Sequence, residues 1–210
     1  MTLPRLYPIL DTGMLAQRNC EVIVAAEAML AGGARILQFR HKGHYSRQVF
    51  GEAEKVAELC RRAGARFVID DRADIAILLD AGLHVGQDDL PPQDARRLIG
   101  PGRLLGFSTH NEAQLRTAAT EPADYTAVGP LFGTISKEKP DPVVGVEELR
   151  RLRAIETRPL VAIGGITREN ALAVIEAGAD SVAVIGDLLP TECTFESMRE
   201  RMEQWQKLVM

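Results

Sequence analysis

Short apolar runs alternate with longer amphipathic stretches along the whole chain. The runs cover residues 6–10, 36–39, 67–69, 83–85, 104–107, 125–128, 160–163 and 181–185. Their brevity and near-continuous apolar character predict strands buried on both faces, as in a parallel sheet. Each is followed by a polar or glycine-bearing turn and then by residues with helical spacing. The spacing predicts helices over 48–62, 146–155 and 168–177. In the first, Val49, Phe50, Ala53, Val56, Ala57 and Cys60 recur at three- and four-residue intervals. Gly32-Gly33, Gly64 and Gly178 stand where helices should end, supplying the left-handed residue a C-cap favours.

Eight strands alternating with about eight helices predict a single (β/α)8 TIM barrel occupying residues 1–210. A doubly wound open sheet is the rival; the count of eight favours the barrel. Either fold places ligands at the C-terminal ends of its strands.

Composition narrows the function classes. Hydrophobic residues make up 46% and charged residues 26%, a globular balance. A net charge of −4 gives no support to a general nucleic-acid or membrane-surface role and leaves room for a local basic site. No apolar stretch approaches the ~20 residues that span a bilayer. The first eleven residues lack a signal peptide's basic start and apolar core. Cys20, Cys60 and Cys193 are odd in number and far apart, which reads as reduced thiols in a cytoplasmic protein. The sequence is compatible with a homo-oligomer and does not specify one.

Candidate chemistry gathers after the runs. Gln38, Arg40 and Lys42 alternate and so share one face of an extended segment. Two readings stay open: an anion site, or the charged face of a solvated edge strand. Asp71 and Asp89 follow neighbouring strands. Paired carboxylates beside a basic strand end suit a hard cation such as magnesium; the competing reading makes each of them a helix cap or turn residue. Gly164-Gly165 and Gly186, after strands seven and eight, form a candidate phosphate cradle, or a tight turn with Thr167 as N-cap. The long connection 129–145, with Lys137 and Lys139, reads as a lid or a solvated charge run. His84 lies inside a strand and reads as a core histidine. Ser108 and His110 lack the sharp turn and third partner of a nucleophilic triad. Trp205, Met198 and Met202 read as packing residues of a terminal helix.

In this order the motifs resemble the thiamine-phosphate synthase family. The matching segments are Gln38-Phe39-Arg40-His41-Lys42-Gly43, Ile69-Asp70-Asp71-Arg72-Ala73-Asp74-Ile75-Ala76 and His84-Val85-Gly86-Gln87-Asp88-Asp89-Leu90-Pro91. Gly106 to His110, Ala123-Asp124-Tyr125, Val128-Gly129-Pro130-Leu131-Phe132, Thr134 to Lys137 and Ile163-Gly164-Gly165-Ile166 complete the set. The resemblance implies a (β/α)8 transferase that joins hydroxymethylpyrimidine diphosphate to thiazole phosphate with magnesium. It implies that Gln38, Arg40, Lys42 and Asp70 meet the pyrimidine diphosphate and that Asp71 and Asp89 bind Mg2+. Ser108 and Lys137 would contact the leaving pyrophosphate, and Thr134 and Ser136 the thiazole phosphate region. Gly165, Ile185 and Gly186 would cradle that phosphate. Arg40, Lys42, Ser108 and Lys137 are the residues implied in catalysis.

Three positions depart from the family pattern: Asp70 where Asn is usual, His41 where Glu is usual, and Gly186 where Ser is common. A thiazole tautomerase relative, which handles no diphosphate, and a non-catalytic thiamine phosphate-binding paralogue are the competing readings.

Overall fold

The computed structural model describes residues 2–133 and 141–210. Eight parallel strands close into a barrel in chain order: β1 (Leu6–Asp11), β2 (Ile36–Arg40), β3 (Arg66–Asp70), β4 (Gly82–Val85), β5 (Leu105–Thr109), β6 (Tyr125–Val128), β7 (Leu160–Ile163) and β8 (Ser181–Val184). β8 pairs with β1, placing Ala183 opposite Tyr7, so the sheet has no edge. The open-sheet alternative is thereby excluded. So is the solvated-edge reading of Gln38 and Arg40, because β2 pairs with both β1 and β3.

Side-chain alternation sorts each strand into two cores. Tyr7, Ile9, Ile36, Val68, Tyr125, Ala127, Val161 and Ala183 fill the barrel interior. Their neighbours in sequence, such as Leu6, Leu10, Leu37, Phe39 and Ile69, pack outward against the helices. Two residues beyond Val68 along the same inward register lies Asp70; two beyond Ile36 lies Gln38. The interior therefore turns polar toward the C-terminal ends of the strands.

The described helices are α1 (Thr12–Gln17), α2 (Val22–Ala31), α3 (Arg47–Ala63), α4 (Ala73–Leu78), α5 (Pro92–Ile99), α6 (Glu112–Ala118), α7 (Val146–Arg153), α8 (Ala171–Glu176) and α9 (Phe195–Val209). Ser46 caps α3 by accepting from the Val49 N–H, and Gly64, at φ 65°, ends it. α9 opens with a reciprocal Thr194–Ser197 cap and buries Met198, Met202 and Trp205, as the sequence suggests. α9 presses on the end of α2 so closely that a Cβ on Gly32 would sit 2.6 Å from Met202 Cβ.

Two expectations are corrected. The helix expected over 168–177 begins only at Ala171. Thr167 is not its cap; the Thr167 N–H instead donates to Asn170 Oδ1 at 2.9 Å. The three-thiol reading also fails. Cys20, after α1, and Cys193, before α9, form a disulfide with Cα atoms 5.5 Å apart. Residues 173 positions apart meet because α9 returns onto the N-terminal helices, and sequence distance hides this. Cys60 is a free, buried thiol, its pKa pushed up to about 12 by burial. Among the described residues no helix is long and apolar enough to cross a membrane.

Candidate active site

A cavity of about 700 Å³ opens at the C-terminal ends of the strands. It is lined by Gln38, Arg40, Lys42, Asp70, Asp71, Asp89, Ser108, Gly165, Ile185 and Gly186. Every described residue singled out as a candidate site residue is thus brought to one place. Thr134, Ser136 and Lys137 lie outside the described residues.

β2 delivers Gln38 and Arg40 on its inward face and ends there. Lys42 lies beyond the strand yet still reaches the cavity. Arg40 pairs with Asp11 and lies 3.4 Å from Asp70. Lys42 pairs with Asp71 and lies 3.0 Å from Asp70. Burial opposes the Lys42 charge, but Asp70 and Asp71 outweigh it and raise its pKa. Burial raises the Asp70 pKa despite the attraction of Lys42 and Arg40. Asp70 therefore acts as a buried hinge of charge between two cations. His41 turns away from the cavity, as its position between Arg40 and Lys42 requires; its Nδ1 lies 2.7 Å from Thr12 Oγ1.

Asp71 does not cap α4. It follows β3 with φ 62°, a left-handed conformation that a non-glycine residue holds only when its surroundings fix it. Its N–H is anchored on the His84 carbonyl at 2.8 Å. The N-cap position belongs to Arg72, whose side chain makes no cap bond and pairs instead with Asp74. The cap reading of Asp70-Asp71 is therefore overturned. Asp89 Oδ2 accepts the Gly86 N–H at 2.8 Å. Burial raises the Asp89 pKa, the Gly86 bond lowers it, and nearby Asp71 raises it again. Two mutually repelling carboxylates beside cations are a donor set that fits magnesium. Among the described residues no group of three or more His, Cys, Asp or Glu is arranged to hold a metal ion by itself. Magnesium is usually held by one or two carboxylates, with phosphate and water completing the shell.

Across the cavity the described wall includes a glycine turn. Gly164 and Gly165 have φ 98° and 65°. A Cβ on Gly165 would lie 2.5 Å from the Gly133 carbonyl oxygen. Asn170 holds this turn closed, its Nδ2 donating to the Gly165 carbonyl at 3.0 Å. The turn does not run directly into a helix, so what it offers an anion is its own N–H groups and not the six-residue α8.

His84 is a satisfied core histidine, as read, but it also lines the cavity. Burial and Lys42 lower its pKa to about 4, so the ring is neutral. His110, which also lines the cavity, has Nδ1 2.7 Å from the Gly129 carbonyl and Nε2 3.6 Å from Asp141. Ser108 and His110 form no hydroxyl–imidazole pair; the ring on Ser108 is that of His84, at 2.8 Å.

Sequence reasoning missed Asp11, Tyr7 and Tyr125. The strand-end rule, applied to the first run, points to Asp11. The two tyrosines hide within apolar runs, where an aromatic reads as packing.

The family model for thiamine monophosphate synthase matches residues 6–188. A thiamine-phosphate synthase of Koribacter versatilis is 46% identical over 192 residues, covering 90% of each chain. Another from Chloroflexus aurantiacus is 41% identical, covering 93% of this chain and 90% of its own. The solved thiamine phosphate pyrophosphorylase of Pyrococcus furiosus superposes with a TM-score of 0.77 at 32% identity, over 95% of this chain and 96% of that one. With its closed barrel and charged rim, the chain belongs to the thiamine monophosphate synthase family of transferases.

Proposed function

We propose that the enzyme joins hydroxymethylpyrimidine diphosphate to thiazole phosphate in a magnesium-dependent reaction, giving thiamine phosphate and pyrophosphate. The observation that supports this most is the meeting of Arg40, Lys42, Asp71 and Asp89 in one cavity, opposite a glycine cradle. In this reading Gln38 and Asp70 hold the pyrimidine, and Arg40 and Lys42 its diphosphate. The bond from the pyrimidine methylene carbon to the diphosphate oxygen breaks, both electrons leaving with pyrophosphate. The thiazole nitrogen then gives its lone pair to that carbon. Such a step needs positive charge on the departing oxygens more than it needs a base. In this reading Arg40 and Lys42 supply the charge and Ser108 a donor. Lys137 shares that task, and Thr134 and Ser136 the thiazole phosphate region, on the resemblance alone. Gly165, Ile185 and Gly186 receive the phosphate through backbone N–H groups. Magnesium, held by Asp71 and Asp89, would neutralise oxygen charge on the diphosphate.

Incubating purified protein with both substrates should give thiamine phosphate only when magnesium is present. Isomerisation of the thiazole phosphate without coupling would overturn the proposal in favour of a tautomerase, for which His110 is the available imidazole. The proposal includes a cytoplasmic location. The Cys20–Cys193 disulfide argues against a strongly reducing one, and thiol titration of protein taken directly from cells decides the point.

A further inference from the structure

A chain of hydrogen bonds crosses the floor of the cavity. Gln38 Nε2 donates to the Tyr7 hydroxyl at 3.3 Å. Tyr7 and Tyr125 hydroxyls are 2.9 Å apart, Tyr125 and His84 Nδ1 3.0 Å apart, and His84 Nε2 and Ser108 Oγ 2.8 Å apart. Gln38, Tyr7, Tyr125 and His84 are all buried. The packing is built around this chain. The His84 and Tyr125 rings stack at 5.6 Å. Gly106 lies between them in the sheet, opposite His84 on one side and Tyr125 on the other. A Cβ on Gly106 would collide with the Tyr125 hydroxyl and with His84 Nδ1.

Hydrogen counting gives the chain one direction. Each tyrosine has a single hydroxyl hydrogen. Gln38 fills an acceptor site on Tyr7, so the Tyr7 hydrogen has only Tyr125 to go to. The Tyr125 hydrogen must then go to His84 Nδ1. That nitrogen is bare, the ring carries its hydrogen on Nε2, and Nε2–H donates to Ser108 Oγ. The reverse direction, or a doubly protonated ring, would leave one tyrosine hydrogen buried without an acceptor, which costs more than a hydrogen bond returns.

We propose that His84 is a positioning residue. Held as its Nε2–H tautomer by Gln38, Tyr7 and Tyr125, it donates to Ser108 and so leaves the Ser108 hydroxyl hydrogen free to donate into the cavity. The consequence for catalysis rests on the reading of Ser108 as a contact of the departing pyrophosphate. A serine whose hydrogen was spent on the histidine could only present lone pairs to an anion, which repels. The same relay leaves the Gln38 carbonyl oxygen out of the chain, as an acceptor for a substrate amine. The floor is thus polarised, donor at the diphosphate end and acceptor at the pyrimidine end.

Nitrogen-15 NMR of histidine-labelled protein, assigned with His84→Gln, tests the tautomer directly at neutral pH. A protonated Nε2 and bare Nδ1 are expected; a protonated Nδ1 overturns the proposal, whatever reaction the enzyme performs. In Tyr125→Phe the ring should become a mixture of tautomers, and an unchanged ring overturns the relay. Activity then tests the consequence. His84→Leu should lower turnover roughly tenfold in the wild type but less than about twofold in a Ser108→Ala background, because it acts through that serine. His84→Gln, which keeps an amide donor, should recover most of the loss. Equal losses in both backgrounds overturn the positioning role. A wild type that makes no thiamine phosphate sinks the synthase reading instead, and leaves the tautomer result standing.

Discussion

The two halves of the rim handle charge in opposite ways. From β2 to β5 the cavity wall is side chains: Arg40, Lys42, Asp70, Asp71, Asp89 and Ser108. From β6 to β8 the described wall is rich in backbone, with Gly129, Gly164, Gly165 and Gly186, beside the carboxylates of Asp141 and Asp187. There Asp187 pairs with Arg168 at 3.0 Å and also accepts from the Trp205 indole N–H at 2.9 Å. The contrast follows from what each phosphate does in the proposed reaction. A leaving diphosphate gains charge as its bond breaks, so fixed cations stabilise the transition state more than the ground state. A phosphate that only anchors its substrate needs a shaped donor surface that does not change.

The charged half should therefore break first. Arg40→Met leaves Asp11 and Asp70, both only 5% exposed, facing each other without their shared cation. Removing one member of a buried ion network typically costs about 3–5 kcal/mol. Urea unfolding should show that loss, and turnover per folded molecule should fall about 10²–10³-fold. Full turnover in the variant would move the diphosphate site elsewhere. The glycine half should fail differently. Gly165→Ala forces a left-handed alanine whose Cβ meets the Gly133 carbonyl and Phe132 Cβ. We expect a loss of about 2–3 kcal/mol. KM for thiazole phosphate should rise more than kcat falls, whereas Arg40→Met should act mainly on kcat. Identical kinetic patterns in the two variants would erase the distinction between the halves.

The charged half was the more legible in sequence, for a physical reason. Charges at the ends of apolar runs are conspicuous, since burying them demands partners. Alternation sufficed to place Gln38 and Arg40 inside the barrel, and the eight runs gave the fold. The glycine half was read only in outline. Gly164-Gly165 announces a turn, but not that Asn170 closes it or that α8 starts late. Partners distant in sequence were invisible: Asp11 with Arg40, Cys20 with Cys193, and the tyrosines that reach His84. Such pairs are set by barrel closure and helix return, and no local period encodes them. Asp71 shows the converse error, where local cap chemistry was outweighed by a backbone bond to β4.

Beneath the glycine half lies a carboxylate that should set its rigidity. Glu156 is 4% exposed, accepts from Thr126 Oγ1 on β6 at 2.9 Å, and pairs with Arg158, just ahead of β7. Burial opposes its charge, but Arg158 and Thr126 prevail and its pKa falls below the ordinary value. A depressed carboxylate contributes stability that is present above its unfolded pKa and lost as pH falls through the folded one. The wild type should lose this increment as acid is added below the ordinary glutamate range, and Glu156→Gln should lack it at every pH. At neutral pH the variant should be weaker by about 1.5 kcal/mol. Hydrogen exchange should show earlier opening of β6 and β7 than of β2 and β3. Uniform opening would mean that the two halves unfold as one unit.

Gly186 separates glycines that the cradle requires from one it merely contains. Unlike Gly165, it is absent from the positive-φ positions, and a Cβ there would meet only Met14 Cε, at 3.9 Å. Nothing in the backbone or the packing demands glycine. Gly186→Ser, which restores the residue common in the resembling family, should leave stability within about 0.5 kcal/mol of wild type. It should also lower KM for thiazole phosphate slightly, because a hydroxyl beside existing backbone donors adds one more bond to the same oxygens. KM for the pyrimidine diphosphate, which the proposed reaction assigns to the opposite half, should not move. A change confined to the diphosphate side would show that the β8 end faces the departing group, and the division of the rim would have to be redrawn. A large loss of stability would show instead that the turn after β8 needs glycine for a reason that neither its φ nor its neighbours reveal.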